Sequence, residues 1–547
     1  MGKTQEETPP ISVQNRILGN LLRLSLGTLL SRGLGLAREM LTAGIYAASS
    51  GMDAFVVAFR IPTLFRRILA EELVERAFMP PFKSLMSKGK ERQAWILAWS
   101  CLNIMVLALV ALCVGCFLFA PRLVSLLGPG LDLDQQRSAL QCTYIVLPFM
   151  VVIGLAAYAG GILTFFEKNT PYSLAPVFLS VGVMLCVAGL SRSMGIHALS
   201  LGFLVGGTSQ FLFQIPFLKS CRRGAPEGSE YTWRVRFPGV GDRLIWGQAG
   251  YVALQSMLLK AVEIVETRLA SRRAAGSIAS LWFAHRLVQL PFAVFGLALG
   301  RAVAPYLTEQ AALQRTGSFQ RGVLSGYRLN LLLFVPLSCF LFLSSREVVS
   351  LVYERGAFHG RSVELTASAF ACYALGLTGM GLVSLFTRAL STVQSNRSPL
   401  FCSMAAAVLN LGLDFLLVQT RLQHAGLALA ASLAFAANAV LLGVGLHGWL
   451  RRQGAGFTWR DFFVPLCKML LCALLSMFLG HLAAEKFPVT PQTLWGTLLR
   501  ASIIGAGVAA GSLLVLGLFP IEEARWLKRR LTRHREAGDK NLPPEAE

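Results

Sequence analysis

The chain has 547 residues, of which 54% are hydrophobic and only 15% are charged. A water-soluble protein of this length needs far more charged surface, so soluble enzymes and soluble binding modules are excluded in favour of a polytopic membrane protein. The net charge of +22 falls in short basic runs between apolar segments and in a basic tail, which fits cytoplasmic loops and anionic lipid rather than nucleic acid.

From the amino terminus, MGKTQEETPPISVQNRIL does not read as a cleaved signal: no small-residue cleavage site ends the apolar run that follows it. The first helix is expected to stay as an anchor. Windows long enough to cross a bilayer begin near Leu21, Asp53, Ile96, Ala139, Leu174 and Ile196, then, after a basic interval, near Leu244, Ile278, Leu329, Ala367, Leu400 and Ala425. Two more cover 463–483 and 494–518. The expected fold is therefore an all-α polytopic membrane protein of about fourteen transmembrane helices, two six-helix lobes plus a C-terminal helix pair. The expected divisions are an N-terminal lobe (1–218), a basic cytoplasmic linker (219–243), a C-terminal lobe (244–450), the added pair (451–520) and a basic tail (521–547). Threading those spans places the denser basic groups, such as Lys83 to Arg92 and Arg525 to Arg535, on one side. That bias predicts that both termini are cytoplasmic.

The first apolar stretch contains Arg32 and Arg38, and the next contains Arg60, Pro62, Arg66 and Arg67. Arg32 and Arg38 are about 120° apart around a helix and about 9 Å apart along it, so both can flank a wide cavity. Arg286 lies in the otherwise apolar LWFAHRLVQLPFAVFGLALG. An arginine at membrane depth is costly unless it faces a protein interior, water or an anion. Its guanidinium stays protonated and matches phosphoryl oxygens with paired donors. Arg32, Arg38, Arg66 and Arg286 are therefore the candidate binding groups for a diphosphate-like polyanion. The alternative is snorkelling to headgroups or pairing with Glu39, Asp53, Glu71 or Glu72, and for Arg60, Arg67 and Glu71 structural pairing is the preferred reading.

Farther along, SMLLKAVEIVETRLAS holds Lys260, Glu263, Glu266 and Arg268. Lys260 and Glu263 are three apart and pair on one helical face. Asn410 and Asp414 are four apart and face the same way. With Glu266 they offer oxygen ligands for a small cation or a protonatable coupling site; the plainer reading is an interhelical hydrogen-bond network. His285 and His424 belong to no metal-binding spacing, and the eleven scattered cysteines read as packing thiols. No phosphate-binding loop, dinucleotide motif, zinc-protease motif or nucleophile elbow occurs in a fitting context. No catalytic residue, no metal and no resident cofactor is expected, and the chain is not expected to be an enzyme.

Seven segments, in order, carry a family likeness: SRGLGLARE (31–39), DAFVVAFRIP (53–62), LFRRILAEE (64–72), AFMPPF (77–82), AHRLVQLPFAVFGLALG (284–300), LVYERGAF (351–358) and HAGLALAASL (424–433). Through them the chain resembles the MurJ, or MviN, family of lipid II flippases, in the multidrug/oligosaccharidyl-lipid/polysaccharide exporter superfamily. The resemblance implies a bacterial inner-membrane carrier that moves lipid II, the undecaprenyl-diphosphate disaccharide peptide, from the cytoplasmic to the outer leaflet by alternating access. It implies that Arg32, Arg38, Arg66 and Arg286 line the cavity, that Asp53 is a gate or lobe contact, and that the last two spans form a groove for the lipid tail; Arg60, Glu71 and His285 are grouped with Asp53 as further candidate gate or lobe contacts. In some members a sodium site lies where this chain has Glu266, Asn410 and Asp414, so coupling to sodium or to protons is the corresponding expectation. Departures from the family pattern are Thr63 after the proline, Glu72, Leu73 and Val74 after Glu71, and His285 and Gln289 flanking Arg286 where the family commonly has acids. A functional monomer, membrane lipids and cell-wall synthesis proteins as partners complete the implied picture. The alternatives are an exporter of another polyprenyl-linked glycan and a non-transporting scaffold of envelope assembly.

Overall fold

The computed structural model describes residues 30–66, 74, 78–222, 226, 233, 260–393, 397–487 and 493–518. In chain order the helices are α1 (30–46), α2 (Ser50–Arg66), α3 (Met79–Ser87), α4 (Glu91–Leu118), α5 (Ala120–Leu127), α6 (Leu133–Val146), α7 (Phe149–Phe165), α8 (Asn169–Met194), α9 (His197–Cys221) and α10 (260–271). They continue with α11 (Ser277–Pro291), a π-helical turn (Phe292–Gly296), α12 (Leu297–Ala312), α13 (Thr316–Leu343), α14 (Ser345–Tyr353), α15 (Arg361–Leu375), α16 (Leu377–Thr392), α17 (Arg397–Leu417), α18 (His424–Arg452), α19 (Trp459–Lys486) and α20 (Leu494–Leu518). Among the described residues, ten helices are long and apolar enough to cross a bilayer, or eleven when α15 and α16, bent by 42°, count as one broken span. Each of these corresponds to an apolar window of the sequence. The windows near Leu21, Asp53 and Leu244 extend outside the described residues, and their described parts are α1, α2 and α10.

Local chemistry sets several boundaries. Asp132 accepts the Gln135 N–H at 2.7 Å to start α6, and Thr458 with Asp461 forms a reciprocal capping box at the start of α19. Pro291 has no N–H to offer the preceding turn, and the chain rewinds through the π-helical turn 292–296 before α12 resumes. The short helices α5 and α14 lie between spans. α5 buries Ala120, Val124 and Leu127, a spacing that gives it one apolar face.

The chain divides into two compact units, residues 1–279 with 355–358, and residues 280–354 with 359–547. In the first, α9 packs on α6, α7 and α8, while α2 lies on α6 and α7. Phe55, Phe59, Phe149 and Phe203 form an aromatic knot joining α2, α7 and α9, with Phe59 and Phe203 ring centres 4.4 Å apart. A second cluster of Phe78, Phe82, Trp95 and Tyr158 joins α3, α4 and α7. The segment 355–358 belongs to this unit because Ala357 N–H donates to Gly44 O at 2.8 Å. Gly356 makes that return with φ +54, and a Cβ there would stand 2.3 Å from Gly44 O, so only glycine fits.

In the second unit α18 packs on α15, α16 and α17, and α13 on α12, α16 and α19. A Cβ on Gly379 would stand 2.9 Å from Ala436 N, so the absent side chain is what lets α16 and α18 approach so closely. Tyr327 Oη donates to Phe462 O at 3.0 Å, tying α13 to α19, and Ser476 and Ser512 hydroxyls meet at 3.0 Å between α19 and α20. Outward faces carry exposed Leu, Val and Phe, among them Val114, Phe117, Leu470, Leu474 and Phe478. Such faces are at home in hydrocarbon and ruinous in water. The eleven cysteines are free thiols.

Candidate functional site

The first unit holds most of the polar groups singled out in the sequence. On α1, Arg32 is half-buried and makes no hydrogen bond or ion pair among the described residues. Six residues on, Arg38 Nη2 donates to Glu39 Oε1 at 2.8 Å, and its guanidinium lies over the Phe203 ring at 5.3 Å from the centroid. The ring face adds cation–π attraction and holds the guanidinium plane against the aromatic knot. Arg38 is thus fixed and compensated.

On α2, Asp53 is only 3% exposed. Its Oδ2 accepts the N–H of Gly276 at 2.6 Å and its Oδ1 the N–H of Ala279 at 2.7 Å. These are N–H groups at the start of α11, which have no partner within the helix, so Asp53 serves as an N-cap supplied from a distant helix. A negative group there also meets the positive end of the helix dipole. Gly276 adopts φ +88, and a Cβ would stand 2.1 Å from Ala48 O. The close turn between α10 and α11 therefore requires glycine.

Two helical turns after Asp53, Arg60 Nη1 donates to Glu263 Oε2 at 2.5 Å. The other oxygen of Glu263 accepts from Lys260 Nζ at 2.6 Å. The Lys260–Glu263 pair follows from their spacing in sequence, but the Arg60 link joins residues 203 apart. The sequence offers Glu39, Asp53, Glu71 or Glu72 as partners for Arg60, and no local spacing points to Glu263. The side chain of Arg66, and the whole of Arg67, Glu71, Glu72 and Leu73, lie outside the described residues.

Other predicted groups lie in the second unit. Arg286 stacks on Trp282 one turn earlier, 4.5 Å from guanidinium carbon to ring centroid. His285 is exposed, with its ring 5.4 Å from that of Tyr373 and its Nε2 3.4 Å from Gln289 Nε2. The indole face of Trp282 supplies cation–π attraction to the Arg286 guanidinium. Both Asn410 and Asp414 are buried on α17, Asp414 completely. Glu266, half-buried on α10, belongs to the first unit.

A sequence profile of the family described as "Lipid II flippase MurJ" matches residues 42–497. The lipid II flippase MurJ of Burkholderia cenocepacia is 30% identical over 483 residues, covering 86% of this chain and 90% of that protein. A probable lipid II flippase MurJ of Vibrio cholerae is 27% identical over 531 residues, covering 93% and 98%. Among solved structures, an inward closed conformation of a lipid II flippase MurJ superposes with a TM-score of 0.74 at 22% identity, covering 90% of this chain and 98% of the other. An inward-facing multidrug resistance MATE family transporter of the MOP superfamily reaches 0.65 at 15% identity, over 80% and 99%. The two structures share the fold of this chain.

Proposed function

The chain belongs to the MurJ family of lipid II flippases, and from that premise we propose that it carries lipid II from the cytoplasmic to the outer leaflet of a bacterial inner membrane. The observation that carries this reading is the family match across residues 42–497, nearly the whole described chain. The spans supply a lipid-compatible exterior, and the membrane-depth arginines supply what a diphosphate head needs: fixed, permanently charged paired donors. In this reading Arg32, Arg38, Arg66 and Arg286 hold the diphosphate while the sugar and peptide occupy hydrated space and the polyprenyl tail stays in lipid.

The lobes then rock between inward-open and outward-open states, with Asp53, Arg60, Glu71 and His285 acting as gate or lobe contacts. Asn410 and Asp414 present an amide oxygen and a carboxylate on one face of α17, a hard oxygen set that suits sodium, with Glu266 as a further acid. A bound cation there would lower the cost of the buried Asp414 charge; a proton would do the same. The membrane potential contributes about 2.3 kcal/mol per charge per 100 mV to whichever charged species crosses it. Both termini cytoplasmic, a functional monomer, cell-wall synthesis proteins as partners and transport without catalysis belong to the same proposal. Reconstituted vesicles test it: lipid II placed in one leaflet should become accessible in the other only when the protein is present. Transport of another polyprenyl-linked glycan but not of lipid II would overturn the substrate assignment.

A further inference from the structure

We propose that Arg268, Arg272 and Arg273, at the end of α10, form a second phosphoryl-binding site that receives the diphosphate of the cargo on the side of the membrane away from the basic loops, an inference that rests on the lipid II reading above. α10 is the described part of the apolar window that opens near Leu244, just after the basic interval 219–243, so Ser271 and the turn that follows lie at the far end of that span. α5 lies on the same side. It follows α4, which starts beside Lys88 and Lys90 and crosses from there, and its Leu126 O stands 3.4 Å from Arg268 Nη1.

Cations on this side run against the usual distribution of Lys and Arg, which gathers them in cytoplasmic loops. The dipole of α10 explains one cation at its C-terminus, a gain of about 0.3–1 kcal/mol that fades within the last turn. Three guanidinium groups between positions 268 and 273 also repel one another, which the dipole does not account for. None of the three makes an ion pair among the described residues. The acids of the adjoining segments are engaged otherwise: Asp53 accepts the N–H groups of Gly276 and Ala279, Asp132 caps α6, and Asp134 faces Arg137 at 3.5 Å. Arg273 Nε is buried with no hydrogen-bond partner, and a charged donor left in that state is costly until an acceptor reaches it.

The surroundings hold the cluster in place. Gly130 N–H donates to Ser271 Oγ at 3.2 Å, and a Cβ on Gly130 would stand 2.2 Å from Ser271 O, so the α5–α6 loop is pressed onto the end of α10. Next to that contact, α5 and the start of α6 expose Leu126 and Leu133, at 49% and 74%. Guanidinium forks match the oxygens of a diphosphate, and exposed leucine beside them suits a ligand that carries phosphate and hydrocarbon together. Arg272 is exposed, which keeps the grip weak enough for the head to leave once it has arrived.

The full chain in nanodiscs is titrated with inorganic diphosphate, and the same variants in vesicles are assayed for lipid II translocation. Joint replacement Arg272→Gln and Arg273→Gln is expected to remove one of two diphosphate sites per chain and to slow translocation about threefold at unchanged abundance. Arg272→Lys with Arg273→Lys keeps the charge and is expected to restore most of both. Arg192→Gln takes a cation from the last turn of α8 on the same side and is expected to match the parent. Parental stoichiometry in the Gln pair overturns the second site, and if Arg286→Ala still weakens diphosphate binding in that case, the lipid II reading survives. Equal slowing by Arg192→Gln and by Arg273→Gln alone reduces the effect to general surface charge and overturns it as well. If the Gln pair loses co-purified phosphatidylglycerol yet moves lipid II at the parental rate, the site holds a phospholipid and the cargo assignment falls. Should the Gln pair fail to insert, Arg268→Gln decides by the same two readouts, and parental values there overturn the proposal. A parent chain that moves no lipid II overturns both readings.

Discussion

Asp53 accepts the N–H of Gly276 at 2.6 Å across 223 residues of sequence, and with its second oxygen takes the N–H of Ala279. The start of α11, the helix that carries Arg286, is thereby held from α2. Removing the carboxylate leaves both N–H groups buried without an acceptor, a penalty of about 1–3 kcal/mol for each group left unmade. Asp53→Ala should therefore lower the thermal unfolding midpoint in detergent clearly. Asp53→Asn retains one good acceptor and should fall between Ala and the parent. An unchanged midpoint in Asp53→Ala would mean that water or another group replaces the cap.

Glycine substitutions separate sites where space decides from sites where it does not. Gly276→Ala combines φ +88 with a Cβ 2.1 Å from Ala48 O, so the turn must break or the helices part. Strain of this kind costs about 1–3 kcal/mol from backbone conformation alone, and the overlap adds to it. Expression of the folded, monodisperse protein should collapse. Gly412→Ala, on α17 with nothing within 4 Å of its Cβ, should stay within about 1 kcal/mol of the parent. Fluorescence-detected size exclusion of both variants makes the comparison, and equal recovery would refute the crowding argument at Gly276.

What could be read from the sequence and what could not divides by range. The windows 463–483 and 494–518 anticipate α19 and α20 because hydrocarbon selects apolar composition residue by residue, with no need of tertiary information. Lys260 with Glu263 was equally visible, since helical geometry alone brings residues three apart together. The Arg60–Glu263 and Asp53–Gly276 contacts join residues 203 and 223 apart, and no local periodicity encodes such a pairing. The short helices α5 and α14 escaped for a different reason: each is too brief for a bilayer-length window, and its apolar face shows only at helical spacing. The bend between α15 and α16 was hidden inside a continuous apolar run.

Arg286 holds its guanidinium carbon 4.5 Å from the centroid of Trp282 on its own helix, so its removal deletes a charge and a local cation–π contact. Arg286→Ala should insert and accumulate normally while lipid II translocation falls by at least about tenfold, as for loss of one member of a desolvated charge pair. Arg286→Lys keeps the charge but loses the paired donors and should recover only part of the rate. Leaflet accessibility of lipid II at matched protein levels measures both. Parental rates in Arg286→Ala would remove this arginine from the cargo site.

Arg500 and Glu347 give the sharpest stability test, because the two partners differ in burial. Arg500 Nε stands 3.0 Å from Glu347 Oε1, linking α20 to α14, with Glu347 6% exposed and Arg500 36%. Truncating the exposed cation strands a buried carboxylate, which costs about 3–5 kcal/mol when no other charge replaces it. Truncating the carboxylate leaves a long, flexible arginine that can swing toward headgroups and solvate itself. Arg500→Ala should therefore destabilise more than Glu347→Ala, and the double variant should be less damaged than Arg500→Ala alone, since it no longer buries an unmatched charge. Thermal unfolding of the three variants closes the cycle. If the double variant instead shows the sum of the two single losses, the two residues act independently and the ion pair is not what joins α20 to α14.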